Sequence, residues 1–484
     1  MESRTLQTVV LGAGPAGLSA AYELAQHHRP VTVLEQSKHV GGLARTEHYQ
    51  DCCIDFGWGS LSGHCGQNEQ NAQDESVEDA RQLWHELAGE AWVDIEVRSR
   101  IHYRHRLFEH PLSFTNAFKH LGPIDISLAG LSYLKHQFTA QQHPEQVPQT
   151  AGAWIDNQFG PHLNRIFFDA YFQKVWGRSG QQLSHRCASQ LLSQQSRKSK
   201  SLIQAASAMF LGGQVPTVRH PKQGAGQIWE TCRKRFEAAD GNVFLDTQLL
   251  KLEHTDCRIT QAITTHDSVL QTIPISNLVS SLPLSELTAR LNAPVEIQQA
   301  ARRLQHRHLL QVALILDIKD LFPEQWLYVH CPAVNVSRIQ NFKNWSPAMV
   351  ANSALTCLGL TYFCSEEDAL WHMDSPKLLK IASQELVELG LIPNLEPILS
   401  GTVMRQPYAY PIYTPDTLQP EAIVQDYLSR FENLQTVGRS GQHHSGSLET
   451  CVLSGQLAAK KILENPVTAP RNVLTSPVTT DYVQ

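Results

Sequence analysis

An apolar run near the start of the chain, Val9-Val10-Leu11, breaks at glycine and gives way to a stretch with helical spacing. A second apolar run follows, Val31-Thr32-Val33-Leu34. Helical periodicity between two short β-branched runs predicts strand, helix, strand. Further along, Val77–Leu87 has the spacing of an amphipathic helix. Residues from about 100 to 210 read as mostly helical, with Trp154, Phe159, Leu163, Ile166 and Phe167 at helical intervals. Gly241–Leu245 predicts a short strand that Leu249–Leu252 continues, and Val279-Ser280-Ser281-Leu282-Pro283 closes another. Leu309–Leu316 and Gly359–Cys364 predict strands of a separate sheet. Leu434–Gly438 predicts a last strand, followed by a helix from Leu448 to Lys461. The polar stretch Gly66–Ser76 reads as a surface loop, and residues 466–484 as a loose tail. The expected fold is α/β: a nucleotide domain of three segments, 1–95, 212–290 and 400–465, with 96–211 and 291–399 forming a cap. Substrate is expected in the cleft between them.

The first turn carries the most specific chemistry. Gly12-Ala13-Gly14-Pro15-Ala16-Gly17 is a G-x-G-x-x-G between strand and helix, and the second strand ends in Glu35, 23 residues after Gly12. Gly12 permits the tight turn, Gly14 lets a pyrophosphate approach the backbone, and Gly17 lets the helix pack closely on the strand. The helix start offers unpaired N–H groups to phosphate, and Glu35 can accept the hydroxyls of an adenosine ribose. A second glycine loop, Val40-Gly41-Gly42-Leu43-Ala44-Arg45-Thr46, follows almost at once and can fold back over the same diphosphate.

Composition narrows the remaining classes. At 484 residues and 42% hydrophobic, the chain can bury a large core in two domains. A net charge of −6 gives nucleic acid no global attraction. No apolar run is long enough for a membrane span, and the first strand begins too early for a signal peptide. Ten scattered cysteines without C-x-x-C spacing fit reduced thiols and a cytoplasmic protein. No metal is expected: His102, His105 and His110 lie in a basic stretch read as surface, and His443-His444 are adjacent. Cys52-Cys53 read as buried small hydrophobes, and Arg197-Lys198-Ser199-Lys200 before Leu202–Leu211 as a solvated helix cap.

The second glycine loop resembles that of FAD proteins of the amine oxidase and protoporphyrinogen oxidase superfamily. Other stretches are similar to bacterial proteins near UDP-galactopyranose mutase. They are Ile101–Arg104 with Leu107–Leu112, Phe168–Gly177, Arg219–Gly226, Arg338–Pro347 and Ala409–Tyr413. The resemblance spans roughly residues 8 to 462 and implies a Rossmann-like FAD domain of the glutathione reductase type with an inserted helical and antiparallel-sheet substrate domain. It implies FAD held by Gly12, Gly14, Pro15, Ala16, Gly17, Glu35, Gln36, Gly42, Leu43, Ala44, Arg45, Leu249, Gly438 and Arg439. It also implies a small-molecule substrate, in the mutase a nucleotide sugar, near Trp176, Arg338, Tyr410 and Tyr413. Trp176 offers an aromatic face, Arg338 a fork suited to diphosphate, and the tyrosines hydrogen bonds. Core packing for the aromatics and an ion pair for Arg338 are the competing readings.

The sequence departs from the mutase pattern at the flavin end. Asp55-Phe56-Gly57-Trp58-Gly59 has glycine where the family places histidine, Leu191 stands for a second arginine, and Ser445–Thr450 replaces an Asn/Asp-rich turn. The first expectation is therefore an FAD-dependent oxidoreductase that oxidises a small or conjugated metabolite by hydride transfer to flavin N5. Redox-neutral isomerisation of a nucleotide sugar is the second, and a non-catalytic flavin-binding partner protein the third. Trp58, Ser60, Tyr410 and His443 are candidates beside the flavin. Catalysis is expected from His443 as a general base of near-neutral pKa, Tyr410 and Arg338.

Overall fold

The computed structural model describes residues 7–57, 75–110, 116, 120–140, 148–187 and 217–465. The expectations for Trp58, Ser60, the loop at Gly66–Ser76 up to residue 74, Leu191, Arg197–Lys200, Leu202–Leu211 and the tail lie outside these residues.

Two seven-stranded sheets organise the chain. In the first, Gln7–Leu11 lies between Val31–Leu34 and Val269–Ser280, all parallel. Asn242–Phe244 extends one side and Leu434–Thr436 the other. Alternation divides the first strand between two cores. Val10 points with Val33 into a layer holding the helices Pro15–Gln26, Gly226–Ala238 and Leu448–Glu464. Val9 and Leu11 point the other way, against Leu249, Leu252, Ile259 and Ala262. Covering on both faces explains the continuous apolar runs seen in the sequence. The N-terminal half of Val269–Ser280 leaves the parallel sheet and pairs antiparallel with Arg258–His266, which pairs with Gln248–Thr255. The fold is thus α/β, with a Rossmann-like dinucleotide domain and an inserted second sheet.

That second sheet runs in the order Ile398–Pro411, His306–Leu316, Thr356–Cys364, Arg338–Asn341, Trp326–Val329, Ser99–Tyr103, Arg106–Glu109. Its pairings are antiparallel except Trp326–Val329 with Ser99–Tyr103. Leu309, Ala313 and Ile315 pack toward Phe167, Phe172, Trp176 and Phe56. Leu310, Val312, Leu314 and Leu316 pack toward Leu378, Ala382 and Leu386 of the helix Ser375–Glu388.

Three sequence expectations change. Residues 99–109, expected helical, are a hairpin, because every second side chain (Ile101, Tyr103) enters the core. His102 is buried rather than exposed. Leu249–Leu252 does not continue the strand before it: Asp246, at positive φ, turns the chain into a different pairing. Around the expected segment limits, Ala300, Ala301 and Leu304 pack with Val9 and Leu11, while Ile398–Pro411 is an edge strand of the second sheet. We propose that the nucleotide domain extends to about residue 304 and resumes after Tyr413.

The first helix touches two other backbones without intervening side chains. A Cβ on Gly17 would lie 1.9 Å from the Gly12 carbonyl oxygen, and one on Gly455 would lie 2.1 Å from the Ala16 carbonyl oxygen. Gly455→Ala must separate the helices Pro15–Gln26 and Leu448–Glu464, so it should lower unfolding free energy by about 1–3 kcal/mol. A denaturation midpoint equal to wild type contradicts this packing.

Candidate functional site

The glycine turn is built as its spacing requires. Gly12 has φ +97°, and a Cβ there would sit 2.2 Å from Ser281 Oγ. Gly14 precedes the helix Pro15–Gln26, which has no side-chain cap and no acidic residue in its first turn. Its leading N–H groups are therefore suited to an anion. Gly41 N–H donates to the Ala13 carbonyl at 2.8 Å, and a Cβ on Gly42 would lie 3.3 Å from Gly14 Cα. Gly438, at φ +73°, approaches Ala16, where an added Cβ would lie 2.9 Å from that methyl. Gly12, Gly14, Pro15, Ala16, Gly17, Gly42 and Gly438 thus converge. Leu43 and Ala44 follow in the same short 3₁₀ turn, Gly42–Ala44.

Glu35 lies at the far end of this cradle. Its Oε2 accepts Ala13 N–H at 2.8 Å and Oε1 accepts Ser37 N–H at 2.9 Å. Each oxygen has a second lone pair for a ribose hydroxyl. Gln36 is exposed beside Asp246 and Gln248, while Leu249 is buried against the core. Arg45 serves the loop itself: Nε pairs with Glu47 at 2.8 Å, and Nη1 donates to Gly42 O and Gln406 Oε1. A glycine-lined cradle, an open helix start and a carboxylate just past the second strand fit a dinucleotide.

On the second sheet, Arg338 and Tyr410 come together. Arg338 is buried with its guanidinium 4.3 Å over the Trp326 ring, and its Nε and Nη2 have no hydrogen-bond partner among the described residues. Arg439 lies 4.6 Å over the ring of Tyr410 and donates from Nη2 to Gly446 O at 2.9 Å. Burial opposes ionisation of the Tyr410 phenol, yet the adjoining Arg439 and Arg338 outweigh it and bring its pKa below the ordinary value. Tyr171 and Tyr328 complete the group. Tyr171 stacks on His330 at 4.4 Å and Tyr328 on His110 at 4.1 Å. Burial holds both phenols protonated, that of Tyr328 up to about 12.

A family profile for flavin containing amine oxidoreductases matches residues 15–463. The chain belongs to the flavin-containing amine oxidoreductase family. Its cofactor is FAD. Reduced UDP-galactopyranose mutase shares the backbone with a TM-score of 0.78 at 19% identity, covering 95% of this chain and 96% of that one. A protein assigned as protoporphyrinogen oxidase from Exiguobacterium sp. 255-15 gives 0.72 at 17% identity, covering 95% and 99%. These likenesses concern the fold. L-amino-acid oxidase of Crotalus adamanteus is 49% identical over 55 residues, which is 11% of this chain and 11% of the oxidase.

The other expected site residues make structural contacts of their own. Trp176 is in the core, 5.5 Å from Phe172. The Tyr413 hydroxyl donates to His443 O at 2.9 Å and accepts Ser445 N–H at 2.8 Å, which anchors a turn. His443 is buried at φ +46°, with its ring 4.9 Å from that of His306. Burial, assisted by Arg186, pushes its pKa down to about 4 rather than to the near-neutral value expected.

Sequence reasoning missed Tyr171 and Tyr328, although Tyr171 sits inside the Phe168–Gly177 stretch. It also missed a buried junction at Asp55. Asp55 Oδ1 accepts from Thr46 Oγ1 at 2.6 Å and Ala225 N–H at 3.0 Å, while Oδ2 lies 3.2 Å from His220 Nε2. Gln311 Nε2 donates to Asp55 O at 2.8 Å, which ties the second sheet to the nucleotide domain. The aspartate two residues before Gly57 was the available signal.

Two outcomes are expected. Glu35→Gln should weaken FAD binding by about 10- to 100-fold, as a charge-assisted bond of about 1.5–3 kcal/mol is lost. Fluorescence titration of the apoprotein reads this, and unchanged affinity contradicts it. Burial also pushes His306 and His330 down to about 3, as it does His443 to about 4. Their folded pKa values lie below the usual 6.5, so the unfolded chain binds more protons as pH falls. Their stabilising effect is complete above pH 6.5 and is lost as pH falls toward about 4 for His443 and about 3 for His306 and His330, at up to about 1.4 kcal/mol per pH unit for each histidine. Urea midpoints measured across that window should fall, and His330→Phe should flatten the slope.

Proposed function

We propose that the protein is an FAD-dependent oxidoreductase that oxidises a small or conjugated metabolite bearing an anionic group. One observation carries this reading: Arg338 and Arg439, two guanidinium groups flanking half-buried Tyr410, form no ion pair with a carboxylate among the described residues. Burying cations without a counter-ion is costly, and an anionic ligand removes that cost.

FAD, when bound, supplies a two-electron acceptor at N5. Arg338 binds and orients the anionic end through its unpartnered Nε and Nη2 edge. Arg439 would hold FAD at the Gly438 turn and keeps positive charge beside Tyr410. Tyr410, with its lowered pKa, can hold or accept a proton at its phenolic oxygen. Tyr171 and Tyr328 stay protonated and line the pocket as donors, and their burial keeps water out. Nine described cysteines are free thiols, which supports a reducing, cytoplasmic setting. No described helix is long and apolar enough to cross a membrane.

The same arginine–tyrosine group favours a second reading, the redox-neutral isomerisation of a nucleotide sugar whose diphosphate lies against Arg338. Anaerobic spectroscopy separates the two. Oxidised, flavin-loaded protein should bleach with carboxylate- or phosphate-bearing donors and not with their uncharged analogues. In Arg338→Leu the bleaching rate should fall by about 10- to 100-fold, the value of a charge-assisted contact. Turnover of a UDP-sugar only after chemical reduction, without net flavin change, supports the second reading instead. Equal bleaching with charged and uncharged donors overturns the anionic pocket.

A further inference from the structure

Where the edge strand Ile398–Pro411 passes His306–Leu316, the register slips. Arg307 pairs with Tyr410 and Leu309 with Gln406, so Pro407, Tyr408 and Ala409 all stand opposite His308. Bulges of this kind turn a side chain in a new direction. At its centre Tyr408 has φ +54°, a conformation that bulky side chains rarely adopt and that neighbours must hold in place.

The holding contacts are specific. Tyr408 N–H donates to His308 Nδ1 at 3.0 Å, and the Tyr408 carbonyl accepts from Ser440 Oγ at 3.2 Å. The next carbonyl, that of Ala409, accepts from Arg439 Nη1 at 3.5 Å. Tyr410 follows directly, between the two arginines. The bulge therefore fastens the edge of the second sheet to the turn Gly438–Gly441, which carries Arg439.

His308 stands on the opposite side of the sheet from this pocket. Tyr410 packs with Leu309 in one core, whereas the ring of His308 lies 4.7 Å from Trp371, which packs in the other core with Leu310 and Val312. It can act on the pocket only through the main chain. We propose that His308 is a positioning residue: by accepting the Tyr408 N–H it fixes the bulge that sets Tyr410 between Arg338 and Arg439.

This rests on the reading of Tyr410 as part of the substrate pocket, and the test has one readout that needs no substrate. Near-ultraviolet titration of the holoenzyme follows tyrosinate formation. Wild type should show one tyrosine ionising below the ordinary value of 10.0, and Tyr410→Phe should lack it. His308→Phe keeps the ring shape without an acceptor, and there the early phase should move back toward the ordinary range. His308→Asn places an oxygen near the former Nδ1 and should restore it. His308→Leu is a second acceptor-free variant should the phenylalanine form fail to fold. Pyrophosphate affinity should fall about ten-fold in the acceptor-free variants and stay within about two-fold of wild type in His308→Asn. An early phase unchanged in folded His308→Phe or His308→Leu overturns the proposal. If the phase moves as expected but pyrophosphate does not bind wild type, the positioning role stands and the anionic-pocket reading fails.

Discussion

No side chain can be accommodated between the first helix and the backbones on either side of it. At Gly17 the helix rests on the Gly12 carbonyl, and at Gly455 the helix Leu448–Glu464 rests on the Ala16 carbonyl. Gly41 and Gly42 then lie beside Ala13 and Gly14, so two glycine loops and a helix start share one small space. Glycine in these positions loses conformational entropy and contributes no packing of its own. What is gained is a backbone surface of N–H groups, with Glu35 held at its edge by Ala13 N–H and Ser37 N–H.

Two other polar groups contrast with Arg338, on which the proposed pocket rests. Lys174 is half-buried, and its Nζ donates to the carbonyls of Val329, Cys331 and Val336. Glu385 accepts from Val336 N–H and Tyr362 O–H, as well as from Asn335. Both are satisfied by their surroundings, and both brace the connection that precedes Arg338. Arg338 keeps two nitrogens without a partner among the described residues. An unpartnered guanidinium edge beside a second guanidinium is the observation on which the proposed anionic pocket rests.

The dinucleotide turn was legible in the sequence because its chemistry is local. Strand, glycines, helix and acid follow one another within a single unit, and each requirement maps onto one residue. The strands Leu309–Leu316 and Gly359–Cys364 were legible for a similar reason, being apolar on both faces. Residues 99–109 were misread because a short hairpin and a helix share apolar spacing over so few positions. Of the residues in the proposed pocket, Arg338 and Tyr410 were singled out, but Tyr171, Tyr328 and the bulge at Tyr408 depend on which strands pair, and no local pattern specifies that. The lowered pKa of His443 was not legible, because it is set by burial near His306, Tyr413 and Arg186, which lie far away in sequence.

The most direct test of the account is to identify what the protein carries when isolated. Purified protein should be yellow, with a flavin spectrum. Heat should release close to one chromophore per chain, which phosphodiesterase then splits to FMN and AMP. A colourless protein that takes up no flavin, or one that binds a nicotinamide dinucleotide or FMN in its place, would contradict it.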